Sequence, residues 1–400
     1  MEDSNKPTFK QKINIFIYGI LRDIAVKVFS IMPLKENKII FDNFAGKGYA
    51  DNPKYIANEL LNRKLDLDLV WLLNDMEQIL PVGIRKVKYN SIKSLYEYAT
   101  AKVIVDNIRN SHLMKKRNGQ IYLQTWHGSK PLKYIEKDAE NNLSAKYIEE
   151  AKYDGSITDG IIIDSKMQED IIKRAFYLNS NVEFLRYGLP CNDVLIRNKE
   201  NLKFRQEIRN KLNVSNDDFI VLYAPTFRDN NSTEFYITDY DKLIEKFEDT
   251  FNKNCVFWVR MHPNVKSSVL EIKFNDKVKD VSYYPDTQEL VLAADCLISD
   301  YSSIMFDFLL LRKIVFLYSP DIEMYKKLRG LSEEYYNLPF LRGNNVEELL
   351  TCINSYNEEE YLIKVQNYLE KCTDYNYGNS AICVANWILN KMKYKGGEEL

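Results

Sequence analysis

Hydrophobic and polar residues alternate along this 400-residue chain as short apolar runs followed by amphipathic segments. The apolar runs predict buried strands, and segments with apolar residues three or four positions apart predict helices. Strands are predicted over 38–41, 67–73, 102–105, 121–123, 160–165, 183–186, 219–223, 255–259, 278–282 (short and edge-like), 295–299 and 314–318. Helices are predicted over 53–64, 92–99, 166–176, 202–212, 304–311 and the tail 359–393. This alternation is typical of parallel sheets covered by helices, so the predicted fold class is α/β.

A charged and polar stretch over 198–215 separates two such series, and a chain of this length exceeds one ordinary core. The domain boundary is therefore predicted there. The predicted units are an N-terminal helix in 1–34, a first α/β domain over 35–197, a second over 198–375, and a C-terminal helix in 376–400. A return of that last helix to the first domain is left open.

The segment 10–32 carries apolar residues at helical spacing, and Pro33 marks its predicted end. Arg22 and Lys27 are among the charges that interrupt it, so it is a poor membrane span. Two interpretations remain open: a helix lying in the membrane interface, or a helix packed on its own domain. No cleavable signal peptide is visible.

Composition narrows the function classes. The formal net charge of −2 argues against non-specific electrostatic binding of nucleic acid, so nucleic acid is not expected as a partner. The six cysteines are scattered without a C-x-x-C pair, which favours buried side chains in a reducing, cytoplasmic setting. The sequence carries no P-loop, no G-x-G-x-x-G and no metal-ligand spacing, so neither a cofactor nor a tightly bound metal is expected.

Two histidines directly follow predicted strands, one in each half of the chain. His127 lies in a Gln-Thr-Trp-His-Gly motif, where Gly128 permits close backbone approach. His262 lies two residues after Arg260 in Arg-Met-His-Pro. Imidazole can accept or release a proton near neutral pH, and arginine can bind phosphate bidentately. The alternatives are a core histidine packed under Trp126 and a His262 bonded to a loop carbonyl.

Three lysines, Lys130, Lys133 and Lys137, follow the first histidine motif. Because positive side chains attract anions, they could hold an anionic substrate while His127 takes up a proton. Two histidine motifs at strand ends, one in each half, are what a two-domain enzyme with a cleft requires.

Hydroxyl groups follow two further strands of the second half. Ser302 and Ser303 precede a predicted helix, whose free N–H groups and dipole would face the same point, which indicates a phosphate or diphosphate site. The alternative is helix capping by one serine. Thr226 and Arg228 are available for phosphate or base contacts, with a surface ion pair of Arg228 and Asp229 as the alternative.

These motifs occur together in a recognisable order. The runs are KIIFDNFAGKGYADNPKYIANEL (38–60), QTWHGSKPLKYIEKD (124–138), YGLPCNDVL (187–195), YAPTFRD (223–229), RMHP (260–263) and DCLISDYSSIMFDFLLLRKIVFLY (295–318). In this combination the chain resembles the CDP-glycerol glycerophosphotransferase family, the teichoic acid primases and polymerases of Gram-positive bacteria. The resemblance covers nearly all of the chain after the first helix.

The resemblance implies a GT-B-like fold, in which two Rossmann-type domains face a central cleft. The first domain would bind the acceptor and the second CDP-glycerol. The acceptor would be linked to undecaprenyl diphosphate, which implies a peripheral enzyme on the cytoplasmic face of the cell membrane and favours a membrane-associating helix in 1–34. The enzyme would transfer glycerol phosphate to an acceptor hydroxyl and release CMP.

Carried over position by position, the resemblance implies a role for each motif. His127 would be the catalytic base, and His262 would act with Arg260 at the donor phosphates. The other implied donor-side residues are Ser302 and Ser303 at the diphosphate, Thr226 and Arg228 at the border of the site, and Asp300, which would orient the loop. The implied acceptor-side residues are Gly128, Ser129 and Lys130.

Other functions fit the same motifs. CDP-ribitol or a nucleotide sugar of a GT-B glycosyltransferase could replace CDP-glycerol, and the product could belong to a capsule polymer. A non-catalytic scaffold is the alternative from another class, which the presence of both histidines disfavours. Primase and polymerase activity, and the oligomeric state, are left open.

Overall fold

The computed structural model describes residues 9–109, 115–228, 232–262, 265, 272–372 and 374–394. Asp229 and Pro263 lie outside these ranges, and of 9–18 only the backbone is described. Within the ranges the strands form two sheets, and neighbouring strands of each sheet run parallel. This confirms the predicted α/β class.

The first sheet builds the first lobe. Its strands are β1 (Lys35–Asp42), β2 (Asp68–Leu73), β3 (Ile84–Lys88), β4 (Ala101–Asp106), β5 (Ile121–Gln124), β6 (Gly160–Ile162) and β7 (Glu183–Leu185). Their order is β3-β2-β1-β4-β5-β6-β7. The prediction missed β3, because exposed basic residues interrupt its apolar positions at the sheet edge.

The second sheet builds the second lobe. Its strands are β8 (Phe219–Tyr223), β9 (Cys255–Val259), β10 (Val278–Asp280), β11 (Cys296–Ser299), β12 (Ile314–Tyr318) and β13 (Leu341–Gly343), in the order β10-β9-β8-β11-β12-β13. The edge position predicted for 278–282 is confirmed by β10. The prediction missed β13, which is only three residues long.

Fourteen helices of the described residues cover these sheets and extend beyond them. They are α1 (Phe9–Phe29), α2 (Asp51–Asn62), α3 (Ile92–Thr100), α4 (Ala145–Ile157), α5 (Lys166–Ala175), α6 (Asp193–Asn198), α7 (Leu202–Lys211), α8 (Asp241–Phe251), α9 (Thr287–Ala293), α10 (Ile304–Leu310), α11 (Ile322–Arg329), α12 (Val346–Asn354), α13 (Glu358–Cys372) and α14 (Ser380–Met392). The single helical tail predicted over 359–393 is wrong. It is two helices, because Gly378 between them has a φ of +80° that a helix cannot hold.

The last helix, α14, returns to the first lobe and completes its core. Val384 and Ile388 are fully buried in one apolar cluster with strand residues such as Phe41. Trp387 covers Gly160, where a Cβ would lie 2.7 Å from its ring, and its Nε1 donates to Glu183 at 2.7 Å. The chain therefore crosses between the lobes twice.

The N-terminal helix α1 lies along α3, where the Phe29 ring meets Tyr96 edge-on at 5.6 Å. It ends at Phe29, four residues before the proline that was expected to stop it. Ile20, Ile24 and Val28 remain exposed at helical spacing. No helix in the described ranges is long and apolar enough to cross a bilayer.

Each sheet has one point where the strand order reverses, between β1 and β4 in the first and between β8 and β11 in the second. Loops leaving such strands diverge to opposite faces and leave a crevice, where doubly wound folds bind ligands. Asn43 and Asn107 follow the first pair of strands. Ala224 and Asp300 follow the second pair. The topology alone thus predicts a crevice at the carboxyl end of each sheet.

Candidate active site

A cleft of about 600 Å³ lies between the carboxyl ends of the two sheets, and both lobes line it. The predicted site residues on its walls are His127, Gly128, Ser129, Arg260, His262, Ser302 and Ser303. The structure therefore brings both histidine motifs and the paired serines to one cavity. Two parallel sheets facing a shared cleft form the GT-B-like arrangement.

His127 is half-buried and its ring is held on several sides. Its Nδ1 lies 2.6 Å from the backbone oxygen of Asn107, which assigns the proton to Nδ1 and leaves a lone pair on Nε2. The ring centres of Phe44 and Trp126 lie 5.2 and 4.2 Å away. Burial, aided by the charge of Lys133, lowers the pKa of His127 to about 4. The imidazole is therefore neutral at pH 7 and can accept a proton.

The backbone before His127 is strained and braced. Trp126 has a φ of +55°, a left-handed conformation that costs a non-glycine residue about 1 kcal/mol or more. The Asn52 amide donates to the Trp126 carbonyl at 3.2 Å, and the Gln168 amide donates to the Gly128 carbonyl at 2.9 Å. These two bonds hold the turn that aims the imidazole.

The two lobes touch at Gly128. A Cβ on this residue would lie 2.7 Å from Ser303 Oγ and 3.4 Å from Ser303 Cβ. Gly128 does not have the left-handed φ that favours glycine, so the small side chain is required by the neighbouring lobe. The close backbone approach predicted at this glycine is an approach to the second lobe itself.

Ser302 and Ser303 precede α10 and face the cleft. Ser303 occupies the N-cap position, but its side chain makes no capping hydrogen bond. Ser302 Oγ accepts from the Ile304 N–H only at a long 3.5 Å. The capping alternative therefore does not account for these hydroxyls, and both remain available to a ligand.

Arg260 and His262 also line the cleft from the second lobe. The guanidinium of Arg260 donates to the carbonyls of Val281 and Tyr284, each at 3.0 Å, and to Thr287 Oγ1 at 3.0 Å. It braces the loop after β10 and keeps part of its donor capacity for a ligand. His262 is exposed and stacks on Phe227 at 5.5 Å, and partial burial lowers its pKa.

Thr226, Arg228 and Asp300 lie behind the cleft wall. Arg228 is 4% exposed, and its guanidinium donates to Asp300 at 2.9 Å and to Asp321 at 2.6 and 2.9 Å. Asp300 also accepts from the Thr226 hydroxyl at 2.6 Å and from the Tyr301 N–H at 2.6 Å. The alternative of a surface ion pair at Arg228 is wrong. These residues are not at the cavity surface, and they fix the loop that carries the serines.

Lys130 also differs from its expected place at the acceptor. It is 2% exposed, and its Nζ lies 3.4 Å from Asp164 and 3.5 Å from Asp374. Burial opposes its charge, but the two carboxylates outweigh burial and raise its pKa. Ser129 reaches the cleft wall while its hydroxyl donates to Asp164. Lys130 is thus a buried counterion that links Asp374, between α13 and α14, to the first lobe.

The prediction missed three charged residues of the cleft wall: Lys47, Asp51 and Asp307. Burial, together with the charge of neighbouring carboxylates, raises the pKa of Asp51 to about 6 and that of Asp307 to about 8. Asp307 lies four residues after Ser303, so the helical period could have assigned it to the same face. Lys47 and Asp51 leave no comparable signal, because Lys47 lies in an irregular loop and Asp51 is the first residue of α2.

The chain is similar to known proteins. The profile of the family described as CDP-Glycerol:Poly(glycerophosphate) glycerophosphotransferase matches residues 24–390. The teichoic acid poly(glycerol phosphate) polymerase of Bacillus spizizenii is 31% identical over 373 residues, which are 87% of this chain and 92% of that protein. The corresponding polymerase of Staphylococcus epidermidis is 33% identical over 315 residues, which are 76% of this chain. The chain spans only 43% of the length of that second relative.

A solved structure extends the likeness to three dimensions. A histidine-to-alanine variant of the wall teichoic acid polymerase TagF superimposes with a TM-score of 0.83 at 27% identity. The match covers 96% of this chain and 98% of that one. Together with the family profile, it makes the chain a member of the CDP-glycerol:poly(glycerophosphate) glycerophosphotransferase family.

Proposed function

We propose that this protein transfers glycerol phosphate from CDP-glycerol to a hydroxyl of a lipid-linked acceptor and releases CMP. One observation carries the proposal: His127 of the first lobe and His262 of the second line the same cleft, beside Ser302 and Ser303. Structures of TagF soaked with CDP-glycerol support the choice of donor. The polymer would be a teichoic acid or a related cell-surface polymer.

The proposed reaction is a substitution at one phosphorus atom. The acceptor oxygen forms a bond to the phosphorus that carries glycerol, and the bond from that phosphorus to the bridging oxygen breaks. CMP leaves with the bridging oxygen, and Nε2 of His127 takes the acceptor proton. His262 and Arg260, with the serine hydroxyls, would stabilise the phosphate oxygens. Catalysis then comes mainly from positioning and charge stabilisation.

The lone pair on His127 Nε2 makes the base assignment testable. His127→Asn keeps the hydrogen-bonding capacity toward Asn107 but removes the proton acceptor, so turnover should fall about 10²- to 10⁴-fold. Binding of CDP-glycerol, measured by calorimetry, should stay unchanged. CMP release at the wild-type rate would exclude His127 as the base.

Donor identity needs a separate comparison. CDP-ribitol is the main alternative, and UDP-sugars stand for glycosyltransferase activity. Purified protein should release CMP from CDP-glycerol faster than from CDP-ribitol and leave UDP-sugars intact. Preference for CDP-ribitol would replace the proposed donor while keeping the phosphotransferase class.

The acceptor and the membrane belong to the same proposal. Exposed Ile20, Ile24 and Val28 on α1, with Arg22 and Lys27 on the same helix, have the composition of an interfacial helix. The protein should sediment with vesicles of anionic phospholipid and less with neutral ones. Changing Ile20 and Ile24 to serine should release it, whereas changing Leu202 of α7, which is even more exposed, should not. Equal binding of both variants would exclude α1 as the anchor.

A further inference from the structure

The loop between β1 and α2 is the most strained segment at the cleft. Phe44, Ala45, Gly46, Gly48 and Asp51 all have φ between +47° and +88°. Three of the five are not glycine, and a left-handed backbone is unfavourable for residues with a Cβ atom. Such conformations persist only where the surrounding structure holds them, so the loop has a shape that the fold maintains.

Hydrogen bonds from the first sheet supply that support. The Gly46 N–H donates to Asp42 Oδ1 at 2.8 Å, and the Phe44 N–H donates to Asn107 Oδ1 at 2.9 Å. The Asn74 side chain donates to the Ala45 carbonyl at 2.6 Å. The loop is therefore anchored to the ends of β1 and β4 and to the loop after β2, on both sides of the crevice.

Phe44 and Lys47 are among the residues that the anchored loop presents to the cleft. The Phe44 ring contacts His127 at 5.2 Å. Lys47 is exposed on the cleft wall, and its charge, like that of Lys133, reaches His262 of the opposite lobe. Lys47 thus lines the same cavity as the proposed base and is close enough to His262 of the proposed donor site to affect its pKa.

The cleft has few positive groups that are not already engaged. Arg260 makes three hydrogen bonds to the loop after β10. His127 and His262 have lowered pKa values and are neutral at pH 7. Lys47 Nζ makes no ion pair and no hydrogen bond within the part of the chain that the structure describes. A diphosphate in the cleft carries two negative charges, which Arg260 alone does not balance.

We propose that Lys47 binds the diphosphate of the nucleotide donor from the first lobe, opposite Arg260 and the serine pair of the second. This inference rests on the proposed use of CDP-glycerol and assigns a ligand contact to the lobe that also carries the base. The donor would then be held by both lobes, close to the contact that they already make at Gly128. Lys47 acts as a point charge, so position matters more than bidentate geometry.

Lys47→Met tests the inference, with Lys203→Met as control, because Lys203 is an exposed lysine of α7 outside the cleft wall. Loss of one charge-assisted contact should weaken CDP-glycerol binding about 10- to 100-fold. The inhibition constant of cytidine, which has no phosphate, should not change. Lys47→Arg should restore most of the affinity, and the control variant should bind as wild type does.

Three results would overturn the inference. The first is an unchanged affinity of Lys47→Met for CDP-glycerol. If the KM for the acceptor rises at the same time, the lysine binds the acceptor instead of the donor. Equal weakening of cytidine and CDP-glycerol would indicate a merely structural role. Failure of Lys47→Arg to restore CDP-glycerol binding would exclude the proposal that Lys47 acts as a point charge. Absence of CDP-glycerol binding by the wild-type protein is a different result, since it would refute the proposed function itself.

Discussion

The contact between Gly128 and Ser303 allows a sharp prediction, because one added methyl group would meet the opposite lobe. The Cβ of Gly128→Ala would lie 2.7 Å from Ser303 Oγ, where an ordinary contact begins at 3.4 Å. About 0.7 Å of movement is therefore needed, either of the serine hydroxyl or of the two loops. The backbone φ does not oppose alanine, so the clash is the main perturbation.

Either movement damages the proposed reaction. If the Ser303 hydroxyl rotates away, it can no longer bind the diphosphate. If the loops shift instead, His127 moves away from the donor. Displacements near 1 Å at a reacting centre cost about 10²-fold in rate. We therefore expect Gly128→Ala to lower kcat/KM for CDP-glycerol about 10- to 100-fold, with little loss of stability because the site is at the surface of both lobes.

A double-mutant cycle with Ser303→Ala checks the cause. Without the hydroxyl, the nearest atom to the new methyl group is Ser303 Cβ at 3.4 Å, an ordinary contact. Gly128→Ala should then cost almost nothing more in the Ser303→Ala background, as measured by CMP release. Independent, additive losses in the two variants would refute the reasoning, since they would show that the methyl group acts through something other than this serine.

Three further predictions concern titration and burial. Because the pKa of His127 is lowered to about 4, kcat/KM should stay flat between about pH 5.5 and 7 and fall only toward pH 4; a limb near 6.5 would contradict the buried, neutral imidazole. Arg228→Met should lower the free energy of unfolding by about 3–5 kcal/mol in urea titrations, because Asp300 and Asp321 lose their buried partner; a loss below about 1 kcal/mol would contradict this. Burial raises the pKa of Asp106 well above its usual value, so in the wild type its stabilising contribution is lost as pH rises from about 4 through that raised pKa. Asp106→Asn removes this pH dependence, so the free energy of unfolding of the variant relative to wild type should rise between pH 4.5 and 7. If urea titrations show the same change of unfolding free energy with pH in both proteins, the raised pKa is contradicted.

Periodicity and short motifs predicted the parts of the fold and site that local sequence determines. Buried strands such as β8 and β11 are continuous apolar runs, and the serine pair lies directly between a strand and a helix. The edge strand β3 was missed, because polar residues there hide the strand signal. The break between α13 and α14 was missed although the sequence signals it, because Asn376, Gly378 and Asn379 are typical turn residues.

The roles of charged residues were harder to predict, because burial depends on the tertiary structure. Arg228 and Lys130 belong to motifs near the hydroxyls proposed to bind phosphate or near the candidate base, yet both are buried against carboxylates from distant segments. Asp321 and Asp374, their partners, carry no signal in the sequence. Lys47 shows the reverse case, since only the strained loop reveals that its side chain faces the cleft.

The return of α14 has a consequence for the order in which the protein assembles. Val384, Trp387 and Ile388 fill the core of the first lobe, although they are synthesised after the whole second lobe. On the ribosome, the first lobe must therefore wait with an open apolar surface while the second lobe emerges and folds. Chaperone demand during synthesis, and the sensitivity of the N-terminal half to any change at the C-terminal end, follow from this single crossing.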